Sequence, residues 1–172
     1  TETLFVGGHE PWFTGTVLEN LTGGDSRYSL TQATEAAKKA RAHSFIQKYP
    51  QGYETVIGEH GEQPDVSQGF RLALGRALLR DPALLIIEEP VGHLSEDDKL
   101  LMEDACRRAV EDRTVIILPS RLSTLRSVDR IVLLNKGEVE VIGTHDVLLN
   151  SSALYRHWEY IHFNEFRHET EN

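Results

Sequence analysis

Stretches of helical period alternate along the chain with short apolar runs, and turn residues separate them. Residues 68–79 carry Leu72, Ala73, Leu74, Ala77 and Leu78 on one broad face, the pattern of a helix lying on a core. Arg80-Asp81-Pro82 stops that helix, because proline disfavours helical geometry in the residue before it. The run Ala83-Leu84-Leu85-Ile86-Ile87 comes next and ends at Glu88-Glu89-Pro90. An apolar run of this length, between a helix and a turn, predicts a fully buried parallel strand. Two acids at the carboxyl end of such a strand stand where open α/β sheets bind ligands.

The same reading assigns the remaining elements. Thr3-Leu4-Phe5-Val6 is a short strand ended by Gly7-Gly8. Ser29 and Gln32 form a capping box for a helix running to about Lys48, with Ala33, Ala36, Ala37, Ala40, Phe45 and Ile46 inward and Lys38, Lys39 and Arg41 solvated. Ser95 and Asp98 open a further helix to about Glu111, and Arg113–Leu118 is the next buried strand. Asp129–Leu134 and Val139–Ile142 pair antiparallel across the turn Asn135-Lys136-Gly137-Glu138, where Gly137 supplies the positive φ. From Ser151 to Phe166 the pattern is an amphipathic helix rich in aromatics: Tyr155, Trp158, Tyr160, Ile161 and Phe163.

Composition narrows the function class. At 172 residues the chain is one domain or most of one, and 40% apolar with 26% charged residues is ordinary for a globular protein. A net charge of −9 argues against nucleic acid as a partner, since such modules carry a basic face. It leaves nucleotide binding open, which needs only local donors. Cys106 is the only cysteine, so no intrachain disulfide forms and a reducing compartment is expected. The longest apolar run is far too short to span a bilayer. The eight histidines show no ligand spacing, so no metal site of the chain's own is expected and His93 reads as a loop histidine. The chain begins on Thr1 in mid-pattern, which suggests a piece of a longer polypeptide.

A helix ending RALLRDP, an apolar strand, two acids and a small turn together resemble the nucleotide-binding domain of ATP-binding-cassette (ABC) transporters. The resemblance covers nearly the whole chain. Phe13, Gly15, Thr16, Val17, Glu19 and Asn20 match the exporter segment that follows the Q-loop strand. The stretch AHSFIQKYPQGYETVIGEHG resembles the exporter segment leading into the x-loop, with Thr55, Gly58, Glu59 and Gly61 matching the loop itself. That loop is specific to exporters and contacts their intracellular coupling helices. Leu122-Ser123-Thr124 and Gly143-Thr144-His145 also match, the histidine in a structural role.

By this resemblance Glu88 stands where the family's Walker B aspartate holds magnesium through water, and Glu89 matches the catalytic glutamate that polarises the attacking water. Elsewhere the family pattern is altered. The Q-loop glutamine falls on Gly8 or, with one deletion, on His9, and the switch histidine is Ser120. The D-loop is Gly92-His93-Leu94-Ser95, keeping only the leucine. The signature falls on Pro64-Asp65-Val66-Ser67-Gln68, of which only Gln68 survives. That motif normally brings a helix N-terminus against a phosphate held by the partner domain. Asp65 remains a good cap but puts a carboxylate where phosphate would sit; two such charges about 4 Å apart repel by about 1 kcal/mol in water and more in a dry site. Val66 adds a branched side chain where the family has none. No G-x-x-x-x-G-K-[ST] occurs.

The expectation is therefore an α/β fold with a mainly parallel sheet of the P-loop NTPase (ABC ATPase) type, a helical signature subdomain over 17–79 and an antiparallel edge hairpin. Residues 1–16 and 80–150 would form the sheet core and 151–172 a C-terminal helix. The family's Walker A strand lies between the strands expected to end at Leu118 and to begin near Arg130, so two apolar edges would face a gap without it. By resemblance the intact protein uses ATP and Mg2+, pairs with an exporter's transmembrane domain and a second nucleotide-binding domain (homo- or heterodimer), and works at the cytoplasmic face of the membrane. For this chain alone, lacking Walker A, no cofactor and no ATPase activity are expected. The alternative from a different class is a pseudo-ATPase serving as an interaction or structural module without transport.

Overall fold

The computed structural model describes residues 2–7 and 12–164. Gly8 and His9, the Q-loop positions, lie outside the described residues, as do Phe166 and the rest of the tail. The chain forms two compact units, Thr1–Leu118 and Pro119–Asn172.

The first unit is built on a three-stranded parallel sheet of β1 (Thr3–Val6), β4 (Leu84–Glu88) and β5 (Thr114–Leu118), with β4 in the middle. Its second, two-stranded sheet pairs β2 (Gly15–Thr16) with β3 (Val56–Ile57) antiparallel. The fold is α/β, as the sequence pattern predicts. α4 (Val66–Leu79) and α5 (Glu96–Ala109) cover one sheet face, packing Phe70, Leu74, Met102 and Ala105 on Val6, Leu85 and Ile87. A second core joins α1 (Val17–Thr22), α2 (Leu30–Lys39) and α3 (His43–Ile46) to the other side of α4, through Leu21, Ala33, Ala37, Phe45 and Leu72.

Three expectations change. The strand in the middle of the sheet is buried on one face only: Leu85 and Ile87 are fully covered, Leu84 and Ile86 half-covered. Likewise β5 is not a buried strand, since Ile116 is 48% and Leu118 50% exposed. An apolar run signals that water is avoided, not which face of the sheet receives the helices. Third, the helix from Ser29 does not continue to Lys48. It ends at Lys39, and Arg41 takes a positive φ of 60° before α3 begins. Arg41's carbonyl accepts from the Nη1 of buried Arg71 at 2.8 Å, a tertiary bond that fixes the break. The inward positions Ala33, Ala36, Ala37, Ala40, Phe45 and Ile46 are nonetheless all buried.

The second unit holds α6 (Leu122–Ser127), the antiparallel hairpin β6 (Ile131–Asn135) and β7 (Glu138–Gly143), α7 (His145–Ser151) and α8 (Ala153–Asn164). The turn has positive φ at both Lys136 (52°) and Gly137 (84°), which matches the twist of a two-residue hairpin. Ile131, Leu133, Leu125, Leu148 and Tyr155 form its core. Among the described strands β5 pairs only with β4, and β6 only with β7.

Candidate functional site

Position 88 sits at the carboxyl end of β4, because the parallel register sets Val6 beside Ile87 and leaves Gly7 beside Glu88. A Cβ on Gly7 would lie 2.7 Å from the Cβ of Glu88 and 2.9 Å from its Oε2, so only glycine leaves room for the acid there. Glu88 is exposed, whereas Glu89 is buried at 3% and its amide donates to the carbonyl of Leu118 at 3.1 Å. The two neighbouring acids thus occupy opposite environments, one facing water and one enclosed at the end of the sheet.

The start of α4 is a complete capping box. Asp65 Oδ1 accepts from the amide of Gln68 at 2.7 Å, and Gln68 Oε1 accepts from the amide of Asp65 at 3.1 Å. An aspartate followed three residues later by a glutamine dictates this local geometry. Val66 is 47% exposed beside it, and Ser67 is buried. One turn further in, Arg71 is buried with its guanidinium over the Phe45 ring, its Nε donating to the carbonyl of Ser67. Burial lowers its pKa, and the carboxylate of Asp98 stands 4.0 Å away.

Asp98 belongs to the first turn of α5. Ser95 caps that helix, accepting from the amide of Asp98 at 3.1 Å and donating its hydroxyl to Asp98 Oδ2 at 2.6 Å. The Ser95 hydroxyl is the main cause holding the Asp98 carboxyl below its ordinary pKa. Ahead of Ser95, Leu94 is buried in the sheet core while Gly92 (φ 141°) and His93 are exposed. The Asp98–Arg71 approach therefore brings the starts of α4 and α5 together.

The Thr55–Gly61 loop is held by two threonine hydroxyls as well as by backbone bonds. Thr55 is buried, its hydroxyl accepts from the amide of Gln51, and its carbonyl accepts from the amide of Val17. Gly58 has φ 95° and packs on Thr14, whose hydroxyl accepts from the amide of Glu59 at 3.0 Å. A Cβ on Gly61 would meet the carbonyl oxygen of Val56 at 2.3 Å. Glu59 itself is exposed. This leaves a hydrogen-bonded loop with an exposed acid, Glu59.

Sequence reasoning misses Arg76 and Arg80. Arg76 donates from Nε to the carbonyl of Asn20 at 2.6 Å and from Nη2 to its Oδ1 at 3.2 Å; Arg80 donates to the carbonyl of Thr22 at 2.8 Å. Asn20 is fully buried and also donates to Phe13 and Thr16, so it is the hub joining α1 to α4. Both arginines line a cleft of about 370 Å³ between β1 and α4, with Val6, Gly7, Trp12 and Phe13. Their i, i+4 spacing in an otherwise apolar helix was the available signal.

Ser120 is the second residue of the second unit, after Pro119. There His145 is buried, with Nδ1 2.9 Å from the hydroxyl of Tyr155, which fits a packing role. Among the described residues no group of three His, Cys, Asp or Glu side chains is placed to hold a metal ion, and no helix is long and apolar enough to cross a membrane.

No family model matches the chain. Individual proteins do. ABC transporter B family member 1 of Dictyostelium discoideum is 36% identical over 140 residues, 81% of this chain. A Bacillus subtilis protein named for multidrug export, ATP binding and permease function (YgaD) is 37% identical over 84% of the chain. The mitochondrial potassium channel ATP-binding subunit of Pongo abelii is 37% identical over 88%. The chain spans only 15%, 25% and 21% of the length of these three relatives. Proteins named as ABC transporters are thus among its homologues, and the chain corresponds to a small part of each relative.

Proposed function

We infer that this chain is the rear portion of an exporter-type ABC nucleotide-binding domain, and that its signature region does not complete an ATP site. In that reading residues 17–79 are the helical subdomain, 1–16 and 80–150 the sheet core, and 151–172 the C-terminal helix. In the intact protein, ATP binding or hydrolysis would be coupled to transport through a transmembrane domain, beside a second nucleotide-binding domain, at the cytoplasmic face of a membrane.

The acidic pair suits the chemistry. Bound Mg2+ in this family neutralises phosphate charge, and oxygen donors are the ligands it takes. Exposed Glu88 would hold the ion through water, and enclosed Glu89 would orient a water and accept its proton. Gly7 makes room for Glu88, which supports that assignment. The start of α4 does not suit phosphate. One observation carries this half of the reading: the Asp65 carboxylate already takes the amide of Gln68 that an anion would use. Burying a phosphate against it would set like charges a few ångströms apart, a loss of several kcal/mol at an effective dielectric of about 20. The positions Thr55, Gly58, Glu59 and Gly61 serve as the coupling loop in this reading, and Gly92–Ser95 as the D-loop.

The test is the ATPase of the full-length protein with and without Glu89→Gln. Slow turnover in a homodimer, little changed by the substitution, is expected. Vigorous turnover abolished by Glu89→Gln would refute a degenerate site, and a heterodimer whose other site turns over normally would agree with it.

A further inference from the structure

Away from the acidic pair, three arginines from two elements converge on one carboxylate. Arg41 Nε lies 3.2 Å and Arg108 Nε 3.0 Å from Asp104 Oδ2, and Arg107 Nη2 bonds Oδ1. Asp104 is 21% exposed, while the arginine side chains are 40% (Arg41), 78% (Arg107) and 39% (Arg108) exposed. The ion pairs that the structure records for all three arginines go to Asp104. Arg41 reaches the cluster from the positive-φ residue between α2 and α3, so the convergence is tertiary and not only the i, i+3 and i, i+4 spacing of α5.

Three guanidiniums against one carboxylate leave two positive charges together on a chain of net charge −9. Arg41 and Arg108 approach Asp104 with Nε, Arg41 at ion-pair distance without a hydrogen bond, so their paired Nη groups have no carboxylate partner. We propose that this cluster is a docking site for a phosphorylated serine or threonine on a partner protein. A phosphomonoester carries about −1.5 to −2 charges at pH 7 with three acceptor oxygens, which matches both the surplus charge and the free Nη donors. A single carboxylate would neutralise only half of it. Asp104 draws the three guanidiniums together before the ligand arrives, which lowers the ordering cost of binding.

The probe is the pentapeptide Gly-Gly-phosphoserine-Gly-Gly, against the same peptide with serine or glutamate, titrated into the chain while the arginine Nε–H resonances are followed. The expected result is movement of the Arg41, Arg107 and Arg108 signals with the phosphopeptide. R107A/R108A should bind about tenfold or more weakly, and R107K/R108K should lose most of the binding too, because lysine lacks the fork. The lysine pair also serves if the alanine pair is unfolded by circular dichroism. Unmoved resonances, unchanged binding in the lysine pair, or equal binding of the glutamate peptide would overturn the proposal. So would tighter, arginine-dependent binding to phosphatidylserine vesicles, which would assign the cluster to a membrane surface.

Discussion

At the start of α4, Asp65 and Gln68 exchange two hydrogen bonds, and this exchange decides what the helix start presents to its surroundings. An aspartate there strengthens the helix through its cap and its favourable end of the dipole, and by the same charge repels phosphate. Asp65→Ala should lower stability by about 0.5–2 kcal/mol, while Asp65→Ser keeps most of the cap; thermal unfolding of the two variants measures the difference. Equal loss in both would mean the side-chain oxygen does not cap. Sequence alone makes this cap legible, because the signal is local: an acceptor, three residues and a reciprocal donor. The partners of Arg76 are not local. Asn20 is 56 residues away, and nothing in the spacing of an arginine in a helix names the carbonyl it will find.

For whole elements, the apolar run 83–87 locates β4 to within a residue and its neighbour β5 to within one as well. Which face each strand buries is a different matter. Leu4, Val6, Leu85, Ile87, Val115 and Ile117 turn toward α4 and α5, while Phe5, Ile116 and Leu118 stay on the open face. Alternation is invisible when both alternating positions are aliphatic, so the sequence reads as buried on both sides. An exposed apolar strand at a sheet edge invites association between molecules. Ile116→Lys should reduce self-association of the chain, read by light scattering, with the melting temperature little changed, since the substitution places a charge on a half-exposed position. A large drop in melting temperature would show that the face is covered in solution. The break of the long helix at Arg41 is legible only in three dimensions, because the buried guanidinium of Arg71 holds that carbonyl.

Taken whole, the molecule carries three tyrosines, Tyr49, Tyr53 and Tyr155, whose burial makes its stability sensitive to alkali. Burial raises Tyr49 in the first unit and Tyr155 in the second from an ordinary value of 10.0 to about 12, with nearby acids adding to the shift. Between about pH 10 and 12 the unfolded chain therefore releases protons that the folded chain keeps, and stability falls as pH rises through that window. Tyr155→Phe keeps the ring in its core and removes the ionisation, so alkaline unfolding followed by circular dichroism should begin at higher pH in that variant. An unchanged profile would mean another group governs it. The sequence by itself determined the α/β class, the longer strands and helices, the caps at Ser29, Asp65 and Ser95 and the acidic pair at the end of β4, since each rests on periodicity or on contacts within a few residues. Tertiary structure alone decided the one-sided burial of the sheet, the Asn20 hub, the approach of Asp98 to Arg71 and the arginine cluster on Asp104. Those depend on which distant residues meet, and side-chain pattern along a chain carries no distance between its turns.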